Sequence, residues 1–381
     1  MRERILVAAF LLACVAGFPV FAQGPPYPMG HRTITFHDSA RNDRAILTEI
    51  YYPGVSAGDN VPTAEPTGEG FPVVTFGHGY LMTWSAYENI WSALVPEGYV
   101  VALPRTEGGL SPGHLDFGLD LAFLVSRLRI ENAEPSSPFH GVLAEAAAIM
   151  GHSMGGGAAV LGAGSDSTIT ALANLAAAET SPSAIAAAMT VFCPSLVVSG
   201  SYDGVAPPGQ HQIPIYAALS SPCKTYLSIL GGSHCQFAES NFYCELGEIG
   251  APTPSIDRPT QHALVSSFLV PWLDFHLKGD HTAWHGFEAL LFSSEAVSLQ
   301  HECDIVPPAP PEIVSISRET LTVTLTWRQS PFATGYHVYG STDAFHNSPG
   351  NLDGVTADTS WSAIEESVQR FYRITAVKGT S

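Results

Sequence analysis

Basic residues are scarce. Lys and Arg number 16 against 35 Asp and Glu, and a formal charge of -19 repels phosphate backbones and anionic lipid surfaces, so nucleic acid is excluded as a partner. Charged residues of both signs make up only 13% of the 381, while 45% are hydrophobic. That balance excludes a disordered chain and indicates one large or two ordinary domains. Six cysteines are too few for a disulfide scaffold, and none fall in CxxC pairs, so no structural zinc site is expected. Glycines are plentiful, but none form a G-x-G-x-x-G dinucleotide fingerprint, and neither a cofactor nor a metal is called for.

What is present begins with an address. A basic start, Met1-Arg-Glu-Arg4, precedes the apolar run from Ile5 to Phe21, which is interrupted by Gly17 and Pro19 and closes on Ala22. This pattern predicts a secretory signal peptide over residues 1–22, because the unbroken stretch is shorter than the roughly 20 residues that span a bilayer. Leu11-Leu-Ala-Cys14 offers a second reading as a lipoprotein box tethering the chain at Cys14. Nothing later reaches transmembrane length, so a soluble secreted or periplasmic protein in an oxidising compartment is expected. Five cysteines then remain, an odd number. Cys193 and Cys223 each stand just before a predicted strand and are the favoured pair, with Cys235 and Cys244 the second.

The proline-dense segment Val306-Pro-Pro-Ala-Pro-Pro311 reads as a stiff linker between two domains, residues 23–305 and 312–381. Beyond it, Leu321 to Trp327, Gly335 to Gly340 and Phe371 to Val377 alternate apolar and polar residues, with a turn at Asn347-Ser-Pro-Gly-Asn351, and predict a small all-β sandwich. This tail resembles a fibronectin type III module, with Trp327 and Tyr372 at the core tryptophan and late tyrosine positions. A spacer or stabilising appendage is its first reading, surface attachment its second.

Before the linker, strand-length apolar runs take turns with helix-length segments. Phe71–Phe76, 98–103, 146–150, 170–175, 195–199 and 225–230 predict buried strands; 85–95, 116–129, 154–162, 211–219 and a terminal 261–278 predict helices. The alternation predicts an α/β fold, a mostly parallel sheet with helices on both faces.

One of these strands runs straight into Gly151-His-Ser-Met-Gly-Gly-Gly157 and a small-residue helix. This is G-x-S-x-G in the strand, sharp turn, helix context that gives it meaning, and it nominates Ser153 as a nucleophile. A serine needs a histidine to take its proton and a carboxylate to hold that histidine. In α/β-hydrolases the chain order is Ser, Asp or Glu, then His. Asp166 comes too soon and Asp257 follows the best histidine, which leaves Asp203, at the end of the strand Leu196 to Gly200. His234 stands after the next strand, in Gly231-Gly-Ser-His234. Of the 15 histidines, His211 and His262 fall within predicted helices, and His276, His281 and His285 crowd a helix end expected to be solvated. The loop Gly77-His-Gly-Tyr80 completes the set, with the backbone N–H groups of Tyr80 and Met154 as the expected oxyanion hole. His78 is expected to be a buried hydrogen-bonding residue.

With these residues in place, residues 30–290 resemble the secreted α/β-hydrolases that include dienelactone-hydrolase-like proteins, chlorophyllase-like esterases, bacterial cutinases and PET hydrolases. The resemblance implies cofactor-free cleavage of small-molecule or polymeric carboxylic esters by Ser153, Asp203 and His234. One departure bears on substrate: cutinases and PET hydrolases commonly carry a tryptophan after the strand that follows the nucleophile helix, and this chain has Leu175-Ala-Ala-Ala-Glu-Thr180 there. Polyester cleavage therefore ranks below a general esterase. Trp84, Tyr87 and Trp91 could line the cleft, although their helical spacing favours core packing. A non-catalytic binding protein on this scaffold and a serine peptidase are the alternatives.

Overall fold

A computed structural model describes residues 27–303, 311–330, 333, 335–342, 351–365 and 370–377. The expected signal peptide, most of the proline segment and the turn before Asn351 lie outside them. In chain order the first part holds β1 (Met29–Asp38), β2 (Arg44–Pro53), β3 (Gly58–Asp59), β4 (Phe71–Gly77), α1 (Glu88–Leu94) and β5 (Val100–Pro104). Then come α2 (His114–Ala133), β6 (Leu143–His152), α3 (Met154–Ser165), β7 (Ala171–Leu175), α4 (Ala184–Ala188) and β8 (Ser195–Gly200). They are followed by α5 (Gln212–Ala218), β9 (Cys223–Ile229), α6 (Phe242–Gly247), α7 (Arg258–Lys278), α8 (His281–Ser293) and β10 (Val297–Cys303).

The strands form one sheet in the order β10-β9-β8-β7-β6-β4-β5-β2-β1-β3. From β5 through β4 to β9 the neighbours are parallel, while β2 on one side and β10 on the other run antiparallel. All seven residues of β4 and all five of β5 and β7 are buried, as expected of strands covered on both faces. One core carries Trp272, Trp284, Phe268 and Leu273 from α7 and α8 with α1; the other carries Leu121, Leu124, Val125 and Val160 from α2 and α3. The parallel order brings the carboxyl ends of β4, β6, β8 and β9 to one edge of the sheet, where sites on such sheets form.

The six predicted strands of this region and their intervening helices are all present. The antiparallel pair β1 and β2, strand β10 and helix α8 go beyond the sequence reading. β10 is hard to see because its central residues Ser298, Gln300 and Glu302 are polar and exposed, with Leu299 the one apolar residue between the buried ends Val297 and Cys303. Its presence corrects the expected Cys193–Cys223 disulfide. β10 lies antiparallel on β9 with Cys303 directly opposite Cys223, and these two are bonded. Cys193 keeps a free thiol, which burial pushes up to about 12. Cys235–Cys244 forms as expected.

Helix α8 also corrects the expectation of a solvated histidine cluster. Although His281 is exposed, the His276 ring packs against Trp272, Phe275 and Trp284, with centroids 4.5, 4.9 and 5.4 Å away, and this burial lowers its pKa to about 3. The unfolded chain, with an ordinary histidine value of about 6.5, binds a proton there that the folded chain refuses. Stability is therefore complete above about pH 6.5 and is lost as pH falls toward 3, by up to about 1.4 kcal/mol per pH unit for this group. The melting temperature is expected to drop between pH 7 and 4.5, and His276→Gln to flatten that drop; an unchanged slope would contradict a neutral buried His276.

Beyond Pro311, β11 (Ile313–Glu319), β12 (Thr322–Trp327), β13 (Gly335–Ser341), β14 (Asn351–Thr356), β15 (Ser360–Ile364) and β16 (Phe371–Val377) make two three-stranded antiparallel sheets, β11-β12-β15 and β14-β13-β16. Val323, Leu325, Trp327, Tyr336, Val338 and Ile374 form the core between them. This is the expected small β module.

Candidate active site

Ser153 stands between the last residue of β6 and the first of α3 with φ 55° and ψ -121°. A side chain at positive φ is strained, so the surroundings must hold it there. Its N–H donates to the Leu175 carbonyl (3.0 Å), and its own carbonyl accepts from Gly157 N–H (3.1 Å) and Ala178 N–H (2.9 Å). The glycines of the motif have a steric reason. A Cβ on Gly151 would sit 2.2 Å from the Gly155 carbonyl oxygen, and one on Gly155 would sit 2.2 Å from that of Gly77. Strand, helix and the β4 loop thus approach closer than any side chain permits. As the first helical residue, Met154 has an N–H that no carbonyl of its own helix can accept.

Asp203 and His234 leave β8 and β9 side by side. Tyr202 N–H donates to the Gly232 carbonyl at 2.8 Å, and Gly231 N–H to Ser201 Oγ at 2.8 Å, stitching the two loops together. Asp203 Oδ1 accepts from the N–H groups of Val205 (3.0 Å) and Ala206 (2.7 Å), which leaves Oδ2 for His234 Nδ1 at 2.7 Å. Both side chains are essentially out of water, at 0% and 1% exposure. A carboxylate in this state only accepts, so Nδ1 carries a proton and Nε2 is left as a base.

The loop Gly77 to Tyr80 abuts the elbow, since the Cβ absent from Gly155 would also lie 2.6 Å from the His78 carbonyl oxygen. Tyr80 is half-exposed, and its hydroxyl donates to the Leu110 carbonyl at 3.0 Å. His78 is buried with its ring nitrogens 2.9 Å from the Gly79 and Thr106 carbonyl oxygens, the hydrogen-bonding role expected of it. Trp84 and Trp91 pack in the core as their spacing favoured, Trp91 stacking on Tyr51 at 4.2 Å. Of the two histidines expected within helices, His211 stands just before α5 with its Nδ1 accepting from Glu179 N–H, and His262 lies in α7 with its Nε2 facing the Ala238 carbonyl.

Several supporting residues escaped the sequence reading. Gln261 of α7 is fully buried and clasps Ser233 from both sides, its Oε1 accepting from Ser233 N–H and its Nε2 donating to the Ser233 carbonyl, each at 2.9 Å. Glu248 accepts from Cys235 N–H (2.9 Å) and Arg258 donates to the Cys235 carbonyl (3.0 Å). The backbone on either side of His234 is thus held by side chains instead of a strand partner. Gln212 does similar work beside the Asp203 loop, donating to the carbonyls of Ala206 and Ala177. No signal within β9 or its loop announces Gln261 or Arg258, which arrive from a helix that starts more than twenty residues later.

The turn at Ser153 has the geometry of the strand-to-helix elbow on which α/β-hydrolases carry their nucleophile, and this chain is an α/β-hydrolase. The family model described as PET hydrolase-like matches residues 49–289, from within β2 to within α8. The chain belongs to that family, a family of hydrolases acting on esters.

Proposed function

We propose that the protein is an exported serine esterase in which Ser153 Oγ attacks the ester carbonyl and His234 Nε2 takes its proton. Asp203 holds His234 in the required tautomer and stabilises the imidazolium that forms. The N–H groups of Tyr80 and Met154 bind the tetrahedral oxyanion. His234 then protonates the departing alcohol, and a water deprotonated by the same imidazole releases the acid. The observation that carries this reading is the buried 2.7 Å contact between Asp203 Oδ2 and His234 Nδ1, with Ser153 on the adjacent strained turn. No helix among the described residues is long and apolar enough to cross a membrane, and the two disulfides fit an oxidising compartment.

Polyester cleavage is the finer reading. The loop after β7 carries buried Ala176 and Ala177 where related enzymes place an aromatic clamp, so it offers no flat ring. A different apolar surface flanks the acid loop: Phe242, Tyr243, Leu246 and Ile249 on and after α6 are exposed, as are Tyr202 and Val205. The two sets adjoin, with the space for a Cβ on Gly247 lying 3.7 Å from Val205. The test is a series of p-nitrophenyl esters from acetyl to palmitoyl together with an amorphous aromatic polyester film. Turnover of the short soluble esters is expected, and Phe242→Ser with Tyr243→Ser should lower release from the film while leaving p-nitrophenyl acetate unaffected. Equal loss on both substrates would show that the surface does not engage the polymer, and inertness across the whole series would overturn the esterase.

A further inference from the structure

A chain of three buried hydrogen bonds runs from the β4 loop to the backbone of His234. Gly79 N–H donates to Tyr87 Oη at 2.7 Å, Tyr87 Oη lies 2.9 Å from His152 Nδ1, and His152 Nε2 lies 3.1 Å from the His234 carbonyl oxygen. Tyr87 and His152 are fully buried. The protons can be placed in one way. A carbonyl only accepts, so His152 Nε2 must carry hydrogen. Burial, reinforced by the neighbouring His234, holds His152 well below the ordinary histidine range, and the ring is neutral. Nδ1 is then a lone pair, and the Tyr87 hydroxyl must donate to it while accepting from Gly79. The sulfur of Met82, 3.3 Å from Tyr87 Oη, is a weak competing acceptor.

We propose that Tyr87 and His152 are positioning residues for ester cleavage, a proton-ordered strut that sets the oxyanion loop and the base relative to each other. The inference rests on the esterase reading above. Neither side chain is placed to touch substrate; each acts through a backbone group, Gly79 N–H one residue before Tyr80, and the carbonyl of His234 itself. The loop is pressed against the strut, since a Cβ on Gly79 would lie 3.2 Å from both His152 Nδ1 and Tyr87 Oη. His152 also stands immediately before Ser153, so one residue is tied to nucleophile, base and oxyanion loop together. The His152 and His234 rings are 4.7 Å apart, close enough that a shift in one displaces the other.

The experiment compares full-length wild type with Tyr87→Phe, His152→Gln and His152→Leu on p-nitrophenyl butyrate, and reads the imidazole tautomer of His152 in the wild type by nitrogen NMR at pH 7.5. Tyr87→Phe keeps the ring but not the donor, and kcat is expected to fall about tenfold with KM nearly unchanged. His152→Leu is expected to lower kcat on the order of a hundredfold, the scale of a misplaced catalytic group. His152→Gln, whose amide nitrogen reaches the His234 carbonyl from the same side, should restore most of that loss. NMR is expected to show a neutral ring protonated at Nε2. A Tyr87→Phe enzyme with wild-type kcat, a glutamine variant no better than the leucine one, or a His152 protonated at Nδ1 would each overturn the strut. An inert wild type would instead overturn the esterase reading, and the NMR result would still decide the strut.

Discussion

Ser153→Ala is expected to lower kcat on p-nitrophenyl butyrate by about 10⁶-fold, the scale on which removing the nucleophile disables serine hydrolases. The substitution suits this site because nothing structural depends on the hydroxyl. Every hydrogen bond that holds residue 153 at φ 55° uses its backbone, through Leu175, Gly157 and Ala178. Alanine meets the same steric strain as serine, so the elbow should persist and the loss should be purely chemical. A fluorophosphonate probe would label the wild type at Ser153 and leave the variant unlabelled. A well-folded Ser153→Ala protein that kept more than a small fraction of the rate would mean that the ester is cleaved elsewhere. Wild type that neither turns over nor labels would favour the binding-protein alternative.

The second large effect is expected at Asp203. In Asp203→Asn the retained oxygen keeps the N–H groups of Val205 and Ala206, because both now bond Oδ1. The new amide N–H₂ then replaces Oδ2 and faces His234 Nδ1, which must give up its hydrogen to accept. That forces the proton onto Nε2, the atom required to receive the Ser153 proton. A folded, cold-stable enzyme with kcat lowered about 10⁴-fold is expected, from the wrong tautomer and not from lost structure. Stopped-assay kinetics with matched melting curves would check it. A decrease of only a fewfold would show that Asp203 does not set the tautomer of His234.

The parallel centre of the sheet is more legible in the sequence than its edges. β4 to β9 were legible because strands buried on both faces are continuous apolar runs, and the elbow was legible because its glycines answer a steric demand made by residues next to them in the chain. Ser153, Asp203 and His234 could be named from their place at strand ends, since the parallel order carries those ends to one edge. The sheet edges were less legible. β10 is half-polar because one side of an edge strand meets solvent, and without that strand the sequence offers Cys193, not Cys303, as the partner of Cys223.

By itself the sequence determined the class of fold and the small β module after the prolines, and it nominated Ser153, Asp203 and His234, because each follows from local periodicity, from a motif whose members are adjacent in the chain or from a place at a strand end. Tertiary structure alone decided what orients those residues. The clasp of Gln261 on Ser233, the bonds of Glu248 and Arg258 to Cys235, and the strut from Gly79 through Tyr87 and His152 to His234 join segments distant in the chain. Such contacts leave no periodic trace. All but the Tyr87–His152 bond link a side chain to a backbone group, and every partner is set only when the sheet assembles and water is excluded from between them.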